Sequence, residues 1–372
     1  MPSLIFKNLV GQQRVQDVLS AAYANGSLAH AYLFSGESGT GKLQAAVELA
    51  MGVLCKNPEQ VPCYSCESCR KVLHFAHPDL HVVFPVYLHG DMKDSDGISA
   101  KGWEQIAKDS RKLVNSPYAT LNYKGIPNIP VAWMRDVNHA VLRGAIEGPM
   151  SIIIIDSVDM MNKESANTML KVLEEPPENT IFLCLTDKHH AVLPTIISRC
   201  QNLRFGYVGD AQISDALSRL STRELSGEER DQAVRYAMGS VGRTLFLLEN
   251  PATEWTVQAA ELLRLCMEED WLALADMIDT LSARENFGAC EQVLIHFIYQ
   301  VRELVLKRGP APEKYITSTD FQSLDTPRAD DLFRNCRQAI AAIRARGNAS
   351  LVLVNFIIAV METIHGKKRQ AY

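Results

Sequence analysis

The feature that most constrains the fold is a glycine-rich segment, residues 34–43, with the sequence FSGESGTGKL. It follows an apolar run and precedes a helical pattern, so it joins a predicted strand to a predicted helix, as a phosphate-binding loop does. Such a loop ends in Gly, Lys and then a Ser or Thr that binds Mg²⁺. The chain has Gly41 and Lys42 but Leu43 in the last position. The sequence therefore predicts a phosphate-binding loop that lacks the side-chain hydroxyl needed to bind Mg²⁺.

Length and charge narrow the class of protein. The 372 residues are enough for two or three domains, and the net charge of -5 argues against a chain that binds nucleic acid over its whole surface. Residues 1–20 contain no apolar signal-peptide core, and the apolar run at 351–361 is too short to span a membrane. We therefore predict a soluble cytoplasmic protein with no membrane partner.

Cysteines are concentrated in one short segment, residues 55–69. It holds four of the nine cysteines of the chain, namely Cys55, Cys63, Cys66 and Cys69. Thiolates two residues apart in a turn converge on one metal ion, and four of them close a tetrahedral structural site. The spacing predicts structural Zn²⁺. Two alternatives stay open: His74 or His77 in place of Cys55, or four unrelated core cysteines.

Strand and helix patterns alternate to about residue 205, which predicts a parallel α/β domain. Two buried strands, 151–155 and 180–186, end in polar residues, Asp156 and Thr186, where open α/β sheets bind ligands. In a phosphate-loop NTPase such an Asp helps to hold Mg²⁺. Residues 86–128 form a predicted insertion with one helix near 101–114, and the sequence leaves its role open.

Only helical patterns follow residue 205. Five amphipathic helices are predicted after residue 251, near 253–268, 270–284, 286–308, 328–346 and 348–365. Two further helices, near 133–146 and 160–175, are predicted within the α/β part of the chain before residue 205. We therefore predict three domains, covering residues 1–205, 206–250 and 251–372.

Several motifs occur in the order found in the AAA+ clamp-loader subunits of bacterial DNA polymerase III, which the chain resembles over roughly residues 5–245. They are Val10-Gly11-Gln12, HAYLFSG at 30–36, the cysteine segment after the first phosphate-loop helix, LKVLEEPPE at 170–178, Ser198-Arg199-Cys200 and GSVGR at 239–243. The resemblance implies an AAA+ domain over 1–205, a small helical lid over 206–250 and a helical collar domain for oligomerisation over 251–372.

The family contains ATP-hydrolysing motor subunits, gamma/tau, and a related delta-prime type that commonly lacks parts of the ATP site. The chain departs from the motor pattern at Leu43 and at Ser157, where a hydrolytic member has a Glu that polarises water. A Ser cannot remove a proton at neutral pH. The Val-Gly-Arg form at 241–243 also resembles delta prime. We therefore expect no ATP hydrolysis by the chain alone.

The resemblance also implies roles for individual residues. Arg199, flanked by Ser198 and Cys200, is expected to reach the γ-phosphate in a neighbouring subunit as an arginine finger in trans. Binding of ATP or ADP without turnover stays an alternative to a purely structural loop. The residues that would hold the nucleotide are Val10, Gly11, Gly36, Gly39, Thr40, Gly41, Lys42, Asp156, Thr186 and Arg243.

The implied function is that of a delta-prime-like subunit that helps to load the sliding clamp on primed DNA during replication. It would be a non-hydrolysing part of a DNA-directed DNA polymerase (nucleotidyltransferase) holoenzyme. Its expected partners are the gamma/tau motor and delta subunits, the sliding clamp and, through the complex, primed DNA. Two alternatives remain: an active gamma/tau-like ATPase motor, or a zinc-module protein that binds nucleic acid.

Overall fold

Five short segments from the first 205 residues form one parallel sheet in the computed structural model of the protein. The strands are β1 (Ala31–Ser35), β2 (Leu80–Val83), β3 (Ser151–Ile155), β4 (Thr180–Thr186) and β5 (Gln201–Arg204). Their order across the sheet is β2-β3-β4-β1-β5, and every neighbouring pair is parallel. All residues of β1, β3 and β4 are buried, as expected for parallel strands covered on both faces. The predicted parallel α/β architecture is confirmed.

The structure describes residues 4–57, 59–93, 97–119, 121, 123, 127–221, 224–249, 254–283, 287–306, 326–344 and 347–366. The chain divides into two compact units, residues 1–249 and 250–372. The finer division of the first unit at residue 205 stays a prediction.

Seven helices accompany the sheet in the part of the first unit before residue 205 that the structure describes. They are α1 (Gln13–Ala24), α2 (Lys42–Leu54), α3 (Glu67–Leu73), α4 (Ala100–Asn115), α5 (Val131–Leu142), α6 (Lys163–Glu174) and α7 (Pro194–Ile197). Every residue of α2 is buried, which fits its apolar sequence and fixes the glycine loop to the core.

Two predicted helix boundaries were wrong. The helix expected to reach residue 146 ends at Leu142, and Gly144 beyond it has a positive φ of 83°, which breaks helical geometry. The helix expected from residue 160 begins at Lys163, because the Asn162 side chain accepts a hydrogen bond from the Ser165 amide and caps it. Residues 158–160 form a separate 3₁₀ turn.

The insertion, residues 86–128, is tied at its base. Val86 and Asn128 form an antiparallel bridge with N–H···O distances of 2.9 and 3.1 Å. Its predicted helix is α4, whose N-terminus is capped by Ser99, which accepts a hydrogen bond from the Gly102 amide. Residues 94–96, 120, 122 and 124–126 of the insertion lie outside the described residues.

Three helices complete the first unit: α8 (Asp210–Leu220), α9 (Gly227–Ala237) and α10 (Val241–Glu249). They share a small apolar core of their own, to which two residues from earlier in the chain contribute, Val10 and Tyr118. Helix α9 begins with a capping box between Ser226 and Glu229.

The second unit consists of helices in the residues that the structure describes. They are α11 (Glu254–Glu268), α12 (Trp271–Ser282), α13 (Phe287–Leu306), α14 (Thr326–Arg344) and α15 (Ala349–His365), and each lies within about two residues of its predicted position. They enclose a separate core in which Phe297 and Phe356 meet edge to face at 5.2 Å. Most of the predicted polar gap at 309–327 lies outside the described residues. Among the described helices, none is long and apolar enough to cross a membrane.

Candidate functional site

The glycine loop, residues 36–41, joins β1 to α2 as the sequence predicts. Gly39 and Gly41 have φ values of 73° and 98°, a region that side chains disfavour. A Cβ atom on Gly39 would lie 2.4 Å from the Ser240 hydroxyl oxygen. Glycine is therefore required at position 39 both by the backbone conformation and by the close approach of the residues before α10.

The Lys42 side chain is directed onto its own loop. It is only 6% exposed, and its Nζ donates to the carbonyl oxygens of Gly36 at 2.9 Å and Glu37 at 2.7 Å. The same ammonium lies 2.6 Å from Oδ1 of Asp187. The Thr40 hydroxyl also donates to the Glu37 carbonyl oxygen, at 2.7 Å. The two polar side chains predicted to hold phosphate are thus engaged within the protein.

Residues at the start of α10 lie against the glycine loop. The Ser240 hydroxyl donates to the Ser38 carbonyl oxygen at 2.9 Å, and the Gly242 amide donates to the Gly39 carbonyl oxygen at 3.0 Å. Ser240 also accepts a hydrogen bond from the Arg243 amide. Arg243, predicted to contact nucleotide, therefore lies in the first turn of a helix that begins at the glycine loop.

Acidic groups collect at the carboxyl ends of β3 and β4. Asp156 follows β3, and burial, followed by the neighbouring Asp187 carboxylate, raises its pKa to about 6. The Thr186 hydroxyl at the end of β4 donates to Oδ1 of Asp159 at 2.6 Å, and burial raises the pKa of Asp159. The structure thus brings Asp156 and Thr186 to one edge of the sheet, as predicted.

The two departures from a hydrolytic site are visible in the structure. Leu43 is 6% exposed and packs in the main apolar core. Ser157 follows Asp156 with a φ of 53°, and its hydroxyl lies 3.5 Å from Oδ1 of Asp156. The Leu43 side chain has no hydroxyl that could bind Mg²⁺. The Ser157 side chain has no carboxylate that could polarise a water molecule.

The segment at residues 8–12, which we call the N-terminal loop, was predicted to contact nucleotide through Val10 and Gly11. The Val10 amide donates to the Tyr118 hydroxyl at 2.9 Å, and this hydroxyl donates to the Asn8 carbonyl oxygen at 2.8 Å. Gln12 exchanges two hydrogen bonds with the main chain of Gly206. Tyr118 was not predicted, because nothing in its local sequence connects it to residues about 110 positions earlier.

Arg199 follows α7, and its guanidinium donates hydrogen bonds to three groups. Its Nη2 donates to Oε1 of Glu174 at 2.8 Å, and its Nη1 donates to the Thr195 carbonyl oxygen at 2.9 Å. A third bond, at 3.3 Å, goes to the Ser198 hydroxyl. The side chain is still 34% exposed. Glu174 was not predicted to hold it, although the LEEPP motif that contains it was part of the resemblance.

The other two residues of the Ser-Arg-Cys motif differ in their surroundings. Ser198 is exposed, and its hydroxyl donates to the Thr195 carbonyl oxygen at 3.2 Å. Cys200 is half-buried beside Cys184 of β4, and the hydrogen bond between their thiols lowers the pKa of Cys200 and raises that of Cys184. Cys200 thus anchors the motif to the sheet.

The four cysteines of residues 55–69, the cysteine module, come together. All four sulfur atoms lie within 4.8 Å of one another, and those of Cys63 and Cys69 are 3.9 Å apart. Tetrahedral zinc with Zn–S bonds of about 2.3 Å needs sulfur atoms about 3.8 Å apart. The arrangement therefore fits a four-thiolate zinc site.

Amide donors support the thiolates. The Cys66 amide lies 3.3 Å from the Cys63 sulfur, and the Cys69 amide lies 3.4 Å from the Cys66 sulfur. Burial opposes ionisation of Cys63, but hydrogen bonds from Ser65 and Cys66 outweigh it and lower the pKa of Cys63 to about 6.

The alternative ligand sets with histidine gain no support. His74 and His77 do not belong to the ligand group found among the described residues. The buried His77 instead accepts a hydrogen bond at Nδ1 from the Asp79 amide, at 3.2 Å.

A buried carboxylate connects the cysteine module to the N-terminal loop. Tyr64, between the cysteines, donates from its hydroxyl to Oε1 of Glu48 at 2.9 Å. The same oxygen accepts a hydrogen bond from the Asn8 amide at 2.7 Å, and Glu48 is fully buried. Burial raises the pKa of Glu48. Two parts of the predicted site, distant in sequence, therefore share one acceptor atom.

Comparison with known proteins identifies the family. The family model described as DNA polymerase III, delta subunit, matches residues 11–208, more than half of the chain. The chain belongs to this family. The resemblance inferred from the motifs is therefore confirmed.

Two curated relatives come from Bacillus subtilis (strain 168). DNA polymerase III subunit delta' is 32% identical over 206 residues, covering 55% of this chain and 51% of the relative. DNA polymerase III subunit tau is 30% identical over 324 residues, covering 86% of this chain and 49% of the relative. The chain thus spans about half the length of these relatives.

One similar solved structure is a gamma subunit-related protein of DNA polymerase III from Thermotoga maritima. It is 13% identical, with 95% of this chain and 100% of that chain covered. Its TM-score is 0.44.

Proposed function

We propose that this chain is a delta-prime-like subunit of the DNA polymerase III clamp loader, which hydrolyses no ATP itself and supplies Arg199 to the ATP site of a neighbouring motor subunit. The observation that carries the proposal is the state of Arg199. Its guanidinium is fixed by Glu174 and by the Thr195 carbonyl oxygen, yet a third of the side chain remains open to a partner.

The chain's own glycine loop supports the same conclusion. Hydrolysis needs Mg²⁺ and a group that orients the attacking water. Position 43 offers a buried leucine and position 157 a serine, while the Lys42 ammonium is paired with Asp187 and with loop carbonyl groups. The loop is therefore proposed to serve as scaffold, and the catalytic contribution of the chain is proposed to act on a phosphate held elsewhere.

A guanidinium held in advance is suited to this role. An arginine fork can offer two parallel donors to a phosphoryl group, and its position here is already set, so little side-chain ordering is needed at the moment of reaction. Because both terminal nitrogens donate within the chain, a two-point contact with phosphate would release at least the weaker bond to the Ser198 hydroxyl. In comparable NTPases an arginine finger contributes about 10³–10⁵ in rate. The Glu174–Arg199 pair is partly exposed, so its contribution to folding is at most about 1 kcal/mol. Its main effect is then to position the guanidinium.

Membership of the family supports the proposed assembly. The proposed partners are gamma/tau motor and delta subunits, the sliding clamp and, through the complex, primed DNA. The cysteine module would hold one structural Zn²⁺ through four thiolates, leaving no ligand position for a reacting water. The helical second unit would supply the collar contacts.

The test compares three variants in a complex reconstituted with the motor subunits of the same organism. Arg199→Ala should lower ATP hydrolysis at the site it serves by about 10³. Glu174→Ala leaves the arginine in place but free to move, and should lower that rate roughly tenfold. Arg204→Ala removes an exposed arginine of β5 and serves as the matched control. Equal rates for Arg199→Ala and Arg204→Ala would refute the finger, provided that both assemble.

A second candidate is an active motor subunit. It is favoured by the match to tau, which extends over more of this chain than the match to delta', and by the presence of Lys42 in the glycine loop. It requires magnesium-dependent turnover by the chain alone. Steady-state ATP hydrolysis by the purified chain, measured with and without Mg²⁺, separates the two candidates.

A further inference from the structure

The insertion places one aromatic ring at the glycine loop. Tyr118 is 4% exposed, and a Cβ atom on Gly41 would lie 3.0 Å from its ring atom Cε1. Its main-chain oxygen would lie 2.1 Å from a Cβ atom on Gly242. Tyr118 therefore fills the space between the last glycine of the loop and the start of α10.

The hydroxyl of this ring satisfies a particular pair of main-chain groups. It accepts a hydrogen bond from the Val10 amide and donates one to the Asn8 carbonyl oxygen. A donor and an acceptor two residues apart thus converge on one point beside the loop. Adenine presents the complementary pair, an amino donor next to a ring-nitrogen acceptor, whereas guanine has the acceptor O6 in place of that amino group.

The Lys42 ammonium, which would face a phosphate, is also engaged. It is bound by two loop carbonyl groups and by Asp187. The Ser240 hydroxyl and the Gly242 amide bind two further loop carbonyl groups and hold the start of α10 against the loop. A phosphate would have to draw the Lys42 ammonium away from its three partners, and a base would have to displace the Tyr118 ring.

We propose that Tyr118 occupies the place of a nucleotide base beside the Val10 amide and the Asn8 carbonyl group, an autoinhibitory contact by which the insertion keeps adenine nucleotides out of this chain's own glycine loop. The proposal concerns that loop alone and is tested separately from the role of Arg199. It gives the insertion a function that its sequence left open.

The experiment titrates the full chain with ADP by isothermal titration calorimetry. Tyr118→Ala removes the ring and both hydrogen bonds and should bind ADP at least about tenfold more tightly than the wild type. Tyr118→Phe keeps the ring but frees the Val10 amide and the Asn8 carbonyl group, and should gain about threefold. Tyr123→Ala is the matched control, since Tyr123 belongs to the same insertion and donates to the Pro85 carbonyl oxygen instead.

The Ala variant should also prefer ADP to GDP by about tenfold, because guanine reverses the required pair. The proposal is overturned if Tyr118→Ala retains the wild-type circular dichroism and binds ADP no more tightly than the wild type. Equal affinity of the Ala variant for ADP and GDP overturns it too. If that variant does not fold, Tyr118→Phe decides, and an unchanged affinity for ADP refutes the proposal.

Discussion

The acceptor shared by the cysteine module and the N-terminal loop gives the sharpest stability prediction. In Glu48→Ala, the Asn8 amide and the Tyr64 hydroxyl, which belong to half-buried residues, lose their common acceptor, although the Ile5 carbonyl oxygen lies 3.4 Å from that hydroxyl. An unsatisfied donor in the protein interior costs about 1–3 kcal/mol, and partial exposure together with loss of the desolvated Glu48 charge offsets part of this cost. We expect a net loss of about 1–3 kcal/mol in the free energy of unfolding of the first unit, or about 3–10 °C in Tm.

Glu48→Gln is the matched control. Its side-chain oxygen can accept both hydrogen bonds, and it carries no charge. Because burial raises the pKa of Glu48 in the folded state, the favourable contribution of the protonated carboxyl is present at low pH and is lost as the pH rises through the folded pKa. Relative to the wild type, Glu48→Gln should therefore gain stability as the pH rises from the ordinary pKa of a glutamate through the raised pKa of Glu48 in the folded state.

The assay is thermal unfolding followed by differential scanning calorimetry, and release of the zinc proposed for the cysteine module to a chelating dye would give a second signal for the first unit. A Tm shift of less than about 1 °C in Glu48→Ala would contradict the prediction, since the loss of an acceptor shared by two donors cannot cost so little. The prediction is also wrong if Glu48→Gln is as unstable as Glu48→Ala, because the shared acceptor would then not explain the loss.

Two further predictions follow from the site. The purified chain should contain one zinc ion by metal analysis. Cys66→Ser should lose the zinc and unfold at a lower temperature, whereas Cys184→Ser, which lies outside the cysteine module, should retain it. A metal-free chain with the same Tm as the zinc-loaded chain would contradict the zinc site. Asp156→Asn should change stability little near pH 4 and raise it by about 2–3 kcal/mol near pH 8, because the pKa of about 6 means that ionising this carboxyl opposes folding as the pH rises through that value. Urea unfolding at both pH values measures this difference, and equal gains at both would show that charge is not the cause.

Most of the features that could be predicted from the sequence follow from short local patterns. The runs at 151–155 and 180–186 are apolar along their whole length, and such runs identify buried parallel strands without knowledge of the fold. The glycine loop and the cysteine module are each contained in 15 residues or fewer, so their chemistry can be read from spacing. The helices of the second unit followed from their apolar periodicity.

What the sequence could not predict depends on packing between distant segments. Asp187 follows the predicted Thr186 directly, but its pairing with Lys42 arises because β4 lies beside β1 in the sheet. Tyr118 reaches the N-terminal loop from an insertion without a recognisable pattern. Glu48 reads as an ordinary polar position on a helix, and only the burial of all of α2 shows that it must have partners.

ATP turnover by the purified chain, alone and together with the motor subunits, decides whether the glycine loop is scaffold or active site. We expect no magnesium-dependent turnover by the chain alone, and turnover in the complex that depends on Arg199 of this chain. Magnesium-dependent hydrolysis by the isolated chain that is abolished by Lys42→Ala would contradict this expectation, because the glycine loop would then be an active site of its own.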